Sequence, residues 1–469
     1  MPDRLSALDV TFLYLETPTT PMHVGSVAVF EPPDSFDYDR LVSLVDQRMS
    51  LVPRYRQVVR HVPGHLAKPV WVDAQDFDIG YHVRRSALPR PGTPDQLAEL
   101  IARLMSRRLD RSRPLWEMNF VEGLADGRLA VITKTHQALV DGVSAVDIGQ
   151  VILDVDKTPR DVPEQPWVPR REPGPVGLLA GAVTELVSRP SAVVDTLRLG
   201  MMDAAATASS VAGAATGLFA AVRTAARPAP ESPLNVTIGE QRRFAMVRTE
   251  LADFKRVRAR HGGTINDAML ATIAGAMRAW LLTRGEPVRS SSAIRAMVPV
   301  SVRAEGTDPD EDETAVAAAN RVSTYLVDLP VGEPSAVIRL HQVSFAMQAH
   351  ADAGQSVGAS ALIRVSGFAP PTLHALGAKA ANGLSRRLFN LVVTNVPGPQ
   401  YPLYAAGARM AEVYPVVPLA RGQALSIGIT SYDGGVFFGL NADRDAMSDV
   451  DVIADLVVES LAELVETTR

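Results

Sequence analysis

The sequence predicts a mixed α/β protein built from two similar halves, and three observations carry that prediction. Short apolar runs alternate with helix-spaced apolar patterns through both halves. A proline-rich stretch breaks the alternation between them. At 469 residues the chain is too long for one ordinary core and fits two domains of about 150–230 residues. The domains are expected at 1–160 and 236–469, joined by a Pro-rich and Ala-rich helical linker at 161–235.

In the first half, Val24–Phe30 reads as a strand. Tyr38–Val52 reads as a helix, with Leu41, Leu44, Val45, Met49 and Val52 at helical spacing. Thr93–Leu109 is a second helix, with Leu97, Leu100, Ile101 and Leu104 on one face. Strands follow at Trp116–Leu124 and Leu129–Thr135, and a helix begins near Gly142. Prolines from Pro159 to Pro175 then stop regular structure, and the Ala-rich stretch Val176–Ala226 reads as a helical crossover closed by Arg227–Pro233. The second half repeats the style. Strands are expected at Arg243–Glu250, Ala293–Val302, Arg321–Leu329, Leu391–Thr394, Ala424–Thr430 and Gly435–Leu440, with helices at Leu251–Arg260 and Thr264–Arg284. The acidic run Glu305–Glu313 reads as a solvated loop.

Composition narrows the function. With 46% hydrophobic and 21% charged residues, the chain does not resemble a disordered one. A net charge of −5 lacks the basic surplus of nucleic-acid binders, so no nucleic-acid partner is expected. The absence of cysteine excludes disulfides, zinc–thiolate sites and an acyl-cysteine intermediate. The N-terminus has no basic stretch followed by an apolar run, so no secretory signal is expected and the location is cytoplasmic. The uncharged stretch Ala204–Val222 is mostly Ala, Ser, Thr and Gly. It is too weakly apolar for a span of about 20 residues, and reads as a helix that touches lipid at a membrane or droplet surface.

The most informative segment is Thr133-Lys134-Thr135-His136-Gln137-Ala138-Leu139-Val140-Asp141-Gly142-Val143-Ser144. An apolar strand ends at a histidine, a short loop follows, and Asp-Gly opens a helix. This puts an imidazole at a strand end, where ligand clefts commonly lie, and a carboxylate at a helix start, where it is favoured. A lone histidine at a strand end is more often a packed residue, and Asp141 reads equally as a helix N-terminal carboxylate. Gly354-Gln355-Ser356-Val357-Gly358 satisfies the G-x-S-x-G pattern of serine hydrolases. That pattern needs a strand before the serine, whereas His341–His350 reads as a polar helix.

The segment at His136 resembles the H-H-x-x-x-D-G motif of the coenzyme A-dependent acyltransferase superfamily, with His136, Asp141 and Gly142 matching its first His, Asp and Gly. Other segments narrow the resemblance to the wax ester synthase/diacylglycerol acyltransferases. They are Leu5–Asp9, Glu16-Thr17-Pro18-Thr19-Thr20-Pro21-Met22-His23-Val24, Phe77–Val83, Pro114-Leu115-Trp116, Asn266-Asp267, Pro299–Arg303 and Asn395-Val396-Pro397-Gly398-Pro399. They follow the family's order along nearly the whole chain. The resemblance implies two chloramphenicol-acetyltransferase-like domains with a tunnel at their interface, acyl-CoA entering one mouth and diacylglycerol or a fatty alcohol the other. It implies no permanently bound cofactor and no metal.

One position departs from the family. Its second histidine, assigned as general base, is here Gln137, and a neutral amide takes up no proton near pH 7. The expectation is that His136 serves as base and Gln137 hydrogen-bonds the alcohol or the oxyanion, a donor role open to Asn266 as well. Asp141 is expected to hold the loop through an arginine, Arg56 or Arg303. Trp116 reads as a core aromatic or a lining of the acyl path, and Thr264-x-x-Asp267 as a capping box.

Overall fold

The computed structural model describes residues 3–33, 37–65, 67–140, 148–163, 166–179, 228–303, 320–352 and 388–469. Gly142, most of the Val176–Ala226 stretch, the acidic run Glu305–Glu313 and the Gly354–Gly358 pattern lie outside these residues.

The N-terminal half contributes β1 (Asp3–Arg4), α1 (Ala7–Leu15), β2 (His23–Glu31), α2 (Tyr38–Arg48), β3 (Gln57–Arg60) and β4 (Val70–Asp73). It continues with α3 (Ile79–His82), β5 (Val83–Ala87), α4 (Pro94–Ser106), β6 (Trp116–Glu122), β7 (Leu129–His136), α5 (Gln137–Val140) and α6 (Ile148–Val151). The C-terminal half contributes β8 (Arg242–Glu250), α7 (Leu251–His261), α8 (Ile265–Thr283), β9 (Ile294–Arg303), β10 (Asn320–Leu329) and α9 (Ala336–Asp352). After these come β11 (Leu391–Pro397), β12 (Tyr404–Ala405), β13 (Ala408–Val416), β14 (Leu425–Tyr432), β15 (Gly435–Asp443) and α10 (Val450–Glu466).

Local chemistry explains the main helices. α4 starts at Thr93, whose side chain accepts from Gln96 N while the Gln96 side chain takes the Thr93 N–H, and Pro94 occupies the first turn. Its Leu97, Leu100, Ile101 and Met105 are buried on one face. The expected Thr264–Asp267 capping box opens α8, and its carboxylate also accepts from Ser344 Oγ at 3.0 Å. The helix read over Tyr38–Val52 stops at Arg48 and passes into a 3-10 turn.

Among the described residues the strands form three sheets. One is small, in the order β1-β4-β3. The two six-stranded sheets run β12-β13-β2-β7-β6-β5 and β10-β9-β11-β14-β15-β8. The proline-rich segment is tied to the small sheet, where the Arg170 backbone N–H and guanidinium both donate to Asp73 and Arg60 donates to Glu172.

The two halves are not separate at the sheet level. β13 comes from the C-terminal half in sequence, yet it pairs antiparallel with β2 and extends the N-terminal sheet. It also packs against β14 and β15. Gly439 on β15 lies so close to this strand that an added Cβ would overlap the Pro415 carbonyl. α4 packs on β8 from the other side. There the buried Arg242 takes hydrogen bonds across the junction: its N–H donates to Ser106 Oγ at 3.0 Å and its guanidinium to Thr19 O. The junction is therefore a continuous packed seam, with its own core residues from both halves (Phe244, Tyr432 and Phe437 join the N-terminal cluster).

Gly439→Ala should separate β13 from β15 and cost about 1–3 kcal/mol or more, the usual effect of overpacking against backbone. Chemical denaturation measures this; a variant as stable as the parent contradicts the close approach.

Candidate active site

β7 ends at His136, and Gln137 opens α5. The strand end is pinned on two sides: His136 N donates to Leu115 O at 3.0 Å and Gln137 N to Met22 O at 2.9 Å. Register with β2 places His23 opposite His136, their rings edge-on with centroids 5.9 Å apart. Both imidazoles are almost fully buried. Lys134, two residues earlier on the same face, reaches the end of α4, donating to Leu104 O at 3.0 Å and to Arg107 O. A cation there complements the helix C-terminus; burial lowers its pKa to about 8.

A carboxylate lies between the two imidazoles. Glu16, only 2% exposed, has Oε1 3.2 Å from His23 Nε2 and Oε2 3.9 Å from His136 Nε2. Arg111 donates to the same Oε2, through Nε at 2.8 Å and through Nη2. Burial works to raise the Glu16 pKa, but the close His23 ring and the Arg111 charge outweigh it and hold the group near 2. On its other side Glu16 lines a cleft of about 590 Å³ whose walls include Arg84, Arg107, Arg108 and Arg111.

The tautomers follow from these partners. Ala138 N donates to His136 Nδ1 at 3.0 Å, so in the neutral ring the proton is on Nε2, facing Glu16. At 3.9 Å that approach is too long for a hydrogen bond, and Nε2 has no hydrogen-bond partner among the described residues. A buried unsatisfied donor costs about 1–3 kcal/mol. His23 Nε2 faces a carboxylate and carries its proton for the same reason; the Leu109 N–H at 3.4 Å is then only a contact. Burial pushes His136 down to about 3 and His23 to about 4. Both rings are neutral at physiological pH.

The opposite face of β7 borders an apolar cavity of about 460 Å³. Val131 and Thr133 meet it from β7, Ser26 and Ala28 from β2, and Pro397, Gly398 and Tyr432 from the C-terminal half. Val131 and Thr133 pair in register with Ala28 and Ser26, so these side chains share one face. By the same alternation Lys134 and His136 belong to the other face of the strand, while Gln137, already in α5, is half-buried. At the start of α6, Tyr55 Oη accepts from Ile148 N at 3.2 Å.

The other sequence-predicted residues fall as follows. Asp141 and Gly142 lie outside the described residues, as does the Arg303 side chain, although its backbone ends β9. Arg56 is buried and directed at Asp46, with Phe77 and Trp167 under its guanidinium. Trp116 is a core residue: its indole donates to Tyr55 O at 2.8 Å and stacks on His82 at 4.7 Å. Asn266 accepts from Asn395 Nδ2 at 3.0 Å, which links the Asn266-Asp267 and Asn395–Pro399 segments. Sequence reasoning gave Glu16 and His23 no role and passed over Arg111. The segment Glu16–His23 was visible, but only the β2–β7 register brings its two ends to His136.

Comparisons with known proteins meet this geometry. Residues 5–269 match the wax ester synthase/diacylglycerol acyltransferase catalytic domain, and residues 318–465 the WS/DGAT C-terminal domain. The chain belongs to the wax ester synthase/diacylglycerol acyltransferase family. Among relatives, the probable diacylglycerol O-acyltransferase tgs3 of Mycobacterium tuberculosis is 47% identical over 56% of this chain and 97% of its own length. The tgs1 protein of the same organism, also described as a probable diacylglycerol O-acyltransferase, is 34% identical over 100% of this chain and 96% of its own. The solved wax ester synthase/diacylglycerol acyltransferase of Marinobacter aquaeolei VT8 superposes with a TM-score of 0.69 at 27% identity, covering 99% of both chains. The starter condensation domain of rhizomide synthetase RzmA has a TM-score of 0.54 at 13% identity, covering 98% of this chain and 94% of that one. It shows the shared fold alone.

The buried histidines set an acid dependence of stability. His23, His82 and His136 are lowered by burial to about 4, 4 and 3 from 6.5. The unfolded chain therefore binds more protons than the fold below that ordinary value, and stability rises with pH through this window. Glu16, lowered from 4.5 to about 2, acts in the same direction at lower pH. The calorimetric melting midpoint should fall as the pH drops from about 7 to about 4; a midpoint unchanged between pH 7 and 5 contradicts the assignment of neutral buried rings.

Proposed function

We propose that the protein transfers a long-chain acyl group from acyl-CoA to diacylglycerol, with fatty alcohols as a second acceptor. The observation that carries this reading is that β7, the strand ending at the motif His136, walls an apolar cavity formed by both halves, in a chain of this family. Both acceptors dissolve in lipid, so the work is done in the cytoplasm at a membrane or droplet surface. Among the described residues no helix is long and apolar enough to cross a membrane.

The reaction is direct attack. The acceptor hydroxyl oxygen adds to the thioester carbon, the C–S bond breaks, and the hydroxyl proton ends on the released thiol of coenzyme A. Gln137, next to the motif histidine and only half-buried, is the side chain that contacts the reacting groups: its amide N–H steadies the developing oxyanion and its carbonyl orients the hydroxyl. Asp141 holds the turn. His136 is neutral, and its basic nitrogen is already engaged by Ala138 N–H; proton removal by His136 requires that bond to open. Neither motif side chain offers a free basic atom, so the step lacks much of the about 10²–10⁴-fold that a matched general base supplies.

Purified protein given labelled palmitoyl-CoA and diacylglycerol should form triacylglycerol slowly, with kcat flat from about pH 5 to 8 because the buried rings do not titrate there. Gln137→His should raise kcat about 10-fold or more and introduce an inflection within that range. Absence of transfer in both proteins, with the fold intact and acyl-CoA bound, would replace this reading with that of a lipid-binding homologue.

A further inference from the structure

The segment Glu16-Thr17-Pro18-Thr19-Thr20-Pro21-Met22-His23 is built with care that acyl-chain binding does not require. Thr17 and Thr20 close it on itself through paired backbone hydrogen bonds, with their hydroxyls 2.5 Å apart. Arg242, from the other half of the chain, fastens Thr19 O. From this frame it holds the motif at two points: Met22 O accepts the Gln137 N–H, and Glu16 lies against His136.

We propose that Glu16 is a positioning residue for acyl transfer, a single buried carboxylate that anchors the His23 and His136 rings and, through His136, holds the start of the turn that carries Gln137. Each carboxylate oxygen has its own imidazole, Oε1 with His23 and Oε2 with His136. Register makes this shared use possible, since His23 and His136 are direct cross-strand partners. An anion at Nε2 favours the Nε2–H tautomer. That tautomer leaves Nδ1 free to accept from Ala138 N, the first backbone donor after Gln137. The His136 Nε2–H, buried and without a hydrogen-bond partner among the described residues, points at the one nearby anion; such contacts are often long before substrate binds and shorten in the productive complex.

The groups facing Glu16 are His23 from β2, His136 and Lys134 from β7, and Arg111 from the loop after α4. Across the open cleft are Arg84, Arg107, Arg108, Asp110 and Glu117. Arg111 is the cation that contacts the carboxylate directly, and it is partly exposed, so it can be changed at the rim without emptying the core.

The kinetic part of the test rests on the acyl-transfer reading; the spectroscopic part does not. In full-length protein with nitrogen-15-labelled histidine, the parent should show His23 and His136 protonated at Nε2 at pH 7. Glu16→Gln should shift both rings toward mixed tautomers and lower kcat for palmitoyl transfer about 10²-fold, the usual result of displacing a reacting geometry by an ångström, while KM for palmitoyl-CoA holds. Glu16→Asp keeps the charge and should restore the tautomers and part of the rate. If Glu16→Gln does not fold, Arg111→Gln serves in its place. Glu16 is charged throughout the working range in the parent; without the guanidinium its pKa rises, and kcat should fall between about pH 7 and 5, where the parent is flat. Unchanged imidazole nitrogens in Glu16→Gln, kcat retained despite lost stability, or a pH-flat Arg111→Gln would each overturn the proposal. Should the parent itself transfer no acyl group, the acyl-transfer reading fails and the tautomers alone decide the role of Glu16.

Discussion

A carboxylate removed from water must be met by charge and hydrogen-bond donors, or it does not stay ionised. Glu16 meets that condition inside the N-terminal half, and its partners account for much of the surrounding structure. Arg111 supplies the charge and the hydrogen bonds, His23 an imidazole nitrogen 3.2 Å away, and His136 completes the ring of neighbours. Because a strand shifted by one residue turns every side chain to the opposite face, the β2–β7 register is the part of the fold that this site can least afford to change. That register also fixes the other face, where Ser26 and Thr133 share a hydrogen bond at 2.9 Å at the wall of the apolar cavity.

The cavity exists because the halves interlock. β13 crosses to the N-terminal sheet, α4 packs on β8, and Arg242 ties the first loop to the second half. The wall of the cavity is therefore shared: Val131 and Thr133 come from β7, and the facing surface from Val396–Pro399 and from β14. Asn266 bonds Asn395, the residue before that segment. An apolar space beside a strand that ends in a polar motif is suited to a reaction whose reacting atoms are polar and whose chains are not.

Much of the fold was legible because its elements carry local signals. The apolar runs of β2, β7 and β14, the apolar stripe of α4, and the capping box at Thr264 all depend on near neighbours in sequence. The small β1-β4-β3 sheet, β13 and the terminal α10 escaped notice. β1 has only two residues, and β13 earns its place by pairing with a strand almost four hundred residues away. The motif histidine was equally legible, but its surroundings were not. That His136 faces Glu16 and His23 is a consequence of the β2–β7 register. The sequence expectation of a general base at His136 met an Nδ1 already accepting a backbone N–H. Trp116, read as core or acyl-path lining, proved to be core because its indole has both a hydrogen-bond partner and a stacking partner inside the N-terminal half.

In this account His136 acts on the shape of the turn and Gln137 on the reactants. The most direct test compares His136→Asn with His136→Ala in palmitoyl transfer to diacylglycerol. The Asn side-chain oxygen can accept the Ala138 N–H as Nδ1 does, but it cannot take up a proton. The account predicts that His136→Asn keeps most of the parental kcat while His136→Ala loses it. If both variants are equally inactive although folded, His136 is the base itself, and the division of roles drawn here is wrong.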